Sequence, residues 1–274
     1  MTRPVTDHPT TSLTPVVTQH PVGDPAVRVV DLYKDFGEKR AIGGVSFAIP
    51  RGELTSIIGP SGCGKTTTLK IIAGLVEATA GHVEVDGKPV TGPGPDRALV
   101  FQDFALMPWA TVLRNAAFGL ELRDVPRAER EDIARKYVAK VGLAGQEHVY
   151  PHQLSGGMRQ RVGLARALAV DADILLMDEP FASVDEQIRR KFQEDLLHLL
   201  SDEDKTVVFV THSIEEAVYV SDQIVILTRG PSRLSKVIRP ELDHSAGSDS
   251  VRRSSAYLDE VERIWGELES YLDE

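Results

Sequence analysis

At 274 residues, with 42% apolar and 26% charged residues, the chain is long enough to bury a substantial core and has the composition of an ordinary globular protein. Its formal net charge of −10 works against any function that needs broad attraction to nucleic-acid backbones or anionic lipid. Phosphate, if bound, must be held by local geometry.

Residues 1 to about 25 are rich in Pro and Thr and poor in aromatics, which predicts a flexible tail. They lack the basic start and apolar core of an export signal. Val27 and Val29, then Val45, Phe47 and Ile49, alternate with polar residues, and His82 to Gly87 ends in a turn signal. These read as half-exposed antiparallel strands. A second kind of strand is apolar almost throughout: Leu54 to Ile58, Leu99 to Phe101, Ile174 to Met177, Val207 to Val210 and Ile224 to Leu227. Such runs suit a parallel sheet covered on both faces. Helical patterns lie between them, at Lys65 to Leu75, Arg127 to Val141, Met158 to Val170, Glu186 to Leu200 and Ile214 to Val220, an alternation that specifies an α/β fold. The stretch from Asp103 to about Gln153 carries helical patterning and no convincing strand. A Ser/Gly/Asp linker, 244–250, precedes a last helix, 251–274, that puts Tyr257, Leu258, Val261, Ile264, Trp265, Leu268, Tyr271 and Leu272 on one stripe. No apolar run reaches the ~20 residues needed to cross a bilayer, so a transport role would require other polypeptides to form the channel.

The most specific motif is Gly59-Pro-Ser-Gly-Cys-Gly-Lys-Thr66, which follows an apolar strand and opens a helix. Gly59, Pro60, Ser61, Gly62, Cys63 and Gly64 form a loop whose backbone N–H groups can converge on phosphate oxygens, with Thr67 just beyond. Lys65 can reach the β and γ phosphates and Thr66 can hold Mg²⁺, so the expected ligand is a nucleoside triphosphate. Cys63 has no cysteine partner, which fits a reducing compartment. The strand Ile174-Leu-Leu-Met-Asp-Glu179 delivers two carboxylates to its carboxy-terminal end. Successive strand residues point apart, so Asp178 can face the metal shell while Glu179 reaches the attacking water.

Leu154-Ser-Gly-Gly-Met-Arg-Gln-Arg161 resembles the signature sequence of ABC-type ATPases, and it lies in the right order between the phosphate loop and the acidic strand. The resemblance runs from about residue 27 to residue 240. It implies a P-loop NTPase (RecA-like) core with an antiparallel β subdomain and an inserted α-helical subdomain at about 103–157, within an ATPase domain spanning 26–243. It further implies that Phe36 stacks on adenine, that Gln102 touches the metal or attacking water, and that His212 contacts the γ-phosphate. Ser155, Gly156 and Gly157, with Asp185, would complete the ATP site of a second copy, so the resemblance implies a homodimer or a pairing with a similar subunit. At Asp185 the family's usual Ala-Leu-Asp is Ser183-Val184-Asp185 here.

Phe101 to Trp109, Asn115 to Leu122 and Asp178-Glu-Pro-Phe181 look most like the nitrate, sulfonate and taurine importer branch. That branch implies ATP and Mg²⁺ as cofactors, two transmembrane permease subunits, an extracytoplasmic solute-binding protein, no nucleic acid, and a peripheral location on the cytoplasmic face of the membrane. Two other readings stay open. One is a non-transport ABC ATPase, which would usually carry coiled-coil insertions or two ATPase units. The other is a module that holds ATP without turnover, against which Glu179 and His212 argue.

Overall fold

Val27–Phe36 (β1) and Lys39–Ile49 (β2) alternate buried and exposed side chains, as expected of strands with one face on a core. They pair antiparallel, and Ala80–Val85 (β4) and Lys88–Pro89 (β5) extend the sheet in the order β2-β1-β4-β5. Leu54–Ile58 (β3), Ile174–Asp178 (β7), Thr206–Val210 (β8) and Gln223–Leu227 (β9) are instead buried at every position. With Arg97–Val100 (β6) and Leu234–Ile238 (β10) they form a second sheet, ordered β10-β9-β3-β8-β7-β6. All of its pairings are parallel except the antiparallel edge strand β10. This computed structural model describes residues 23–182, 186–243, 248–269 and 271, so the expected tail falls almost wholly outside it.

Because side chains alternate across a strand, the second sheet serves two cores. Ile174 and Leu176 of β7 pack toward the antiparallel sheet and the helix Lys65–Ile72 (α1), whereas Leu175 and Met177 pack toward the helices on the other face. Between β6 and β7 the chain is helical only, with Val112–Glu121 (α2), Arg127–Lys140 (α3), a 3₁₀ turn at Pro151–Gln153 and Gly156–Ala169 (α4). Thr111 caps α2, accepting from Arg114 N at 3.3 Å, and the buried Asn115 amide ties α2 to the carbonyls of Met107, Ala110 and Thr111. Glu186–Ser201 (α5) and Ile214–Val220 (α6) follow β7 and β8.

The chain's end departs from the expected single helix. Ser248–Arg253 (α7) and Ser255–Glu269 (α8) are separate, broken at Ser254, and residues 248–250, expected in the linker, are helical. The apolar stripe is also divided. Tyr257, Ile264 and Leu268 are buried, whereas Leu258 and Trp265 are 55% and 54% exposed. Positions 257, 264 and 268 share one narrow face at helical spacing, while 258 and 265 lie one residue round from it. Leu272 lies outside the described residues.

Candidate active site

Parallel pairing brings the carboxy-terminal ends of β3, β6, β7 and β8 to one edge of the sheet, where ligands bind in open α/β folds. From β3 emerges the loop 59–64. Gly59, Gly62 and Gly64 have φ of +155°, +76° and +102°, angles that side chains with a Cβ rarely adopt. At Gly59 space is lacking as well, since a Cβ would lie 2.6 Å from the Leu227 carbonyl oxygen. Ser61 and Gly62 form the exposed crest, and Cys63 turns inward, fully buried. Burial pushes the Cys63 thiol above its ordinary range, so its role here is packing. Lys65 is only 7% exposed, and its Nζ donates to the carbonyls of Gly59 (2.8 Å) and Pro60 (3.2 Å). The ammonium is thus held over the loop that phosphate oxygens would enter.

The two carboxylates of β7 part as the pleat requires. Asp178 follows Ile174 and Leu176 to the α1 face, where Thr66 Oγ1 donates to its Oδ1 at 2.8 Å. Burial raises the Asp178 carboxyl above the usual carboxylate range, and the Thr66 hydrogen bond and the nearby charge of Lys70 only partly oppose it. Glu179 sits in the left-handed region at φ +45°, its N–H donating to the Val210 carbonyl at 2.9 Å. That turn sends its carboxylate away from Asp178. Glu179 Oε2 accepts from Gln102 Nε2 at 3.4 Å and lies 3.3 Å from His212 Nδ1. Gln102, Glu179 and His212, each just beyond the carboxy-terminal end of a different strand, therefore meet at one oxygen.

His212 is aimed by its neighbours. Thr211, 1% exposed, donates to Glu216 Oε2 at 2.5 Å and accepts from Ser213 N at 3.0 Å, and Ser213 then caps α6. The loop bearing Gln102 is held by a residue that pattern reading missed. Arg166 of α4 donates to the carbonyls of Phe104 (2.6 Å) and Ala105 (2.7 Å), both left-handed, at φ +62° and +42°. A signal was present in the sequence: a cation near the end of the helix flanked by the apolar Ala165, Ala167 and Leu168.

The remaining expected residues are dispersed. Phe36 is 53% exposed at the tip of the β1–β2 hairpin, which reaches the phosphate loop through Ile42, beside Gly64. Ser155 caps α4, accepting from Met158 N at 3.3 Å, with Gly156 and Gly157 as the first helical residues. Among the described residues no hydrogen bond joins this turn to 59–67. Asp185 lies outside the described residues. No group of three or more His, Cys, Asp or Glu that could hold a metal occurs among the described residues. The Thr66 hydroxyl beside the Asp178 carboxylate nevertheless suits a Mg²⁺ that takes its other ligands from phosphate and water.

A family model described as ABC transporter matches residues 42–182, which include the phosphate loop, the Ser155 turn and both carboxylates. The chain belongs to the ABC transporter family. It is 51% identical over 212 residues to an uncharacterised ABC transporter ATP-binding protein of Methanocaldococcus jannaschii, covering 77% of this chain and 79% of that one. It is 50% identical over 213 residues to a taurine import ATP-binding protein of Chromobacterium violaceum, covering 77% and 82%. Among solved structures it resembles a dimeric ATP-binding cassette in a post-hydrolysis state bound to ADP and Pi, with a TM-score of 0.69 at 32% identity over 78% of this chain and 98% of that one. A second dimeric structure, of a bacterial ABC transporter cassette, gives a TM-score of 0.70. This chain is thus an ATP-binding subunit of an ABC transporter, with the family's α/β architecture.

Proposed function

We propose that the chain hydrolyses ATP to energise import of a small anionic or organic solute of the nitrate, sulfonate or taurine type, through closure and reopening of a dimer. The observation that carries the catalytic part is the meeting of Gln102 and His212 at Glu179 Oε2, next to the phosphate loop. Glu179 accepts the proton of the attacking water as general base. Gln102 and His212 donate to the groups around that water and hold it in line with the γ-phosphate. Lys65 exchanges the carbonyls of Gly59 and Pro60 for β- and γ-phosphate oxygens, and the N–H groups of 59–64 receive the rest of the negative charge. Thr66 and Asp178 would hold Mg²⁺, which supplies charge neutralisation on the phosphates.

Ser155 caps α4, Gly156 and Gly157 open it, and no hydrogen bond among the described residues joins this turn to 59–67, so their donors serve a nucleotide held by another copy, together with Asp185, which lies outside the described residues. Two dimeric structures of one related cassette, one of them bound to ADP and Pi, support this pairing. Loss of the γ-phosphate removes contacts from both sides at once, and the pair opens. Arg166 links that motion to the Gln102 loop, since its helix begins at the signature turn. No described helix is long and apolar enough to cross a membrane, so two permease subunits would carry the solute, fed by an extracytoplasmic binding protein, with this chain on the cytoplasmic face.

A phosphate-release assay on the permease-assembled complex tests the reading. Wild type should turn over ATP, and Glu179→Gln should lose roughly 10²–10⁴-fold, the usual contribution of a general base. Equal rates for the two proteins would remove Glu179 from the chemistry.

A further inference from the structure

Outside the nucleotide site, α5, α6 and the α7–α8 corner enclose a cleft of about 280 Å³. Arg189, Arg190, Arg252 and Arg253 line it, against Glu215, Glu216 and Asp249. Four cations face three anions there, in a chain whose net charge is −10. Glu216 is already committed, since Thr211 donates to it and Arg189 Nε stands 3.7 Å away.

Of the two arginines at the corner, Arg252 is preorganised. The Arg252 guanidinium lies 3.6 Å from the centre of the Tyr219 ring and donates to Gln193, yet its Nε is buried with no acceptor among the described residues. Arg253 forms no ion pair with any described residue and is exposed at the rim. A guanidinium fixed by stacking, with a second one, unpaired among the described residues, exposed at the rim beside it, matches the planar and tetrahedral oxygen arrays of carboxylates, sulfonates and phosphates. Tyr257 and Leu258 add an apolar wall. The space exceeds the ~30 Å³ share of one water several-fold, room for a head group and a short tail.

We propose that this cleft binds a small organic oxyanion, its head group on Arg252 and Arg253 and its tail against Leu258. The site contains no residue of the phosphate loop. It does contain Ser213, the residue after His212, so the ligand sits against the turn that aims the histidine. Occupancy fastens the α7–α8 corner to α5 and α6 and so changes ATP turnover.

The test is calorimetric titration of the nucleotide-free full chain with ethanesulfonate. Wild type and Lys65→Ala should bind one equivalent alike. Arg253→Ala and Arg252→Lys should each weaken binding by roughly tenfold or more, the second because lysine keeps the charge but loses the fork. Arg253 is exposed, so its removal leaves the fold intact, and a thermal melt of each variant verifies this. No heat with wild type up to about 10 mM, a range that would still reveal millimolar affinity, overturns the proposal. So does unchanged binding in both arginine variants, and so does loss of binding in Lys65→Ala, which would place the anion in the phosphate loop.

Discussion

Replacing Arg166 with methionine should separate turnover from nucleotide binding. The guanidinium holds two carbonyls, those of Phe104 and Ala105, whose residues are left-handed without being glycine. Each such residue costs about 1–2 kcal/mol relative to its relaxed form. Two charge-assisted hydrogen bonds contribute about 1.5–3 kcal/mol each, which is enough to offset that strain. Methionine keeps the aliphatic packing and removes both bonds. Allowing for relaxation of the loop, the expected loss is about 2–4 kcal/mol, or a fall in Tm of roughly 5–10 °C for a domain of this size.

Gln102 lies two residues before Phe104 and reaches Glu179 at 3.4 Å, so a shift of about 1 Å in its loop should lower kcat at least roughly tenfold. The phosphate loop is untouched, and ATP affinity, read by competition with a fluorescent nucleotide, should stay within about twofold. Arg166→Lys should fall between the two. A methionine variant with wild-type Tm and wild-type kcat would refute the claim that Arg166 holds this loop.

Asp178 gives a pH test. Burial raises its carboxyl in the folded state, so the protonated form favours folding at low pH and the ionised form costs stability as pH rises through the folded value. Asp178→Asn should therefore raise the Tm of nucleotide-free protein near pH 7–8, and the gain should vanish below about pH 4, where the unfolded carboxyl is protonated too. A gain independent of pH would contradict the burial argument. The divided stripe of α8 gives another. Ile264, fully buried, should cost about 2–4 kcal/mol on replacement by alanine, whereas Trp265→Ala should stay within about 0.5 kcal/mol, both measured as shifts in the urea midpoint.

The chain order of the fold was largely legible because its parallel strands are buried on both faces. Leu54–Ile58 and Ile214–Val220 have the bounds expected from sequence, one set by Gly59 and the other by the Ser213 cap. Departures follow where local preference loses to context. Helix α4 begins at Gly156 although glycine is a poor helix former, because the Ser155 side chain satisfies its first turn. Strand β6 runs Arg97–Val100, paired to β7 from Ile174, and Phe101 has already left the sheet. Strand β10 escaped notice because an edge strand with one well-buried residue, Ile238, carries little periodic signal. At the site, Lys65, Thr66, Asp178 and Glu179 could be named from motifs whose geometry is set by a few adjacent residues. Arg166 acts through contacts made only when distant segments fold together, whereas Thr211 acts through its near neighbours Ser213 and Glu216, a local pairing that the motif does not spell out.

The central claim, that the nucleotide is held between the phosphate loop of one copy and the Ser155 turn of another, is tested most directly by sedimentation of the Glu179→Gln protein with and without Mg-ATP. A monomer that becomes a dimer on adding Mg-ATP, and stays monomeric when Ser155→Arg is added to the same background, is the expected result. A protein that remains monomeric with Mg-ATP, alone and within the permease complex, or that dimerises equally well with Ser155→Arg, would contradict it.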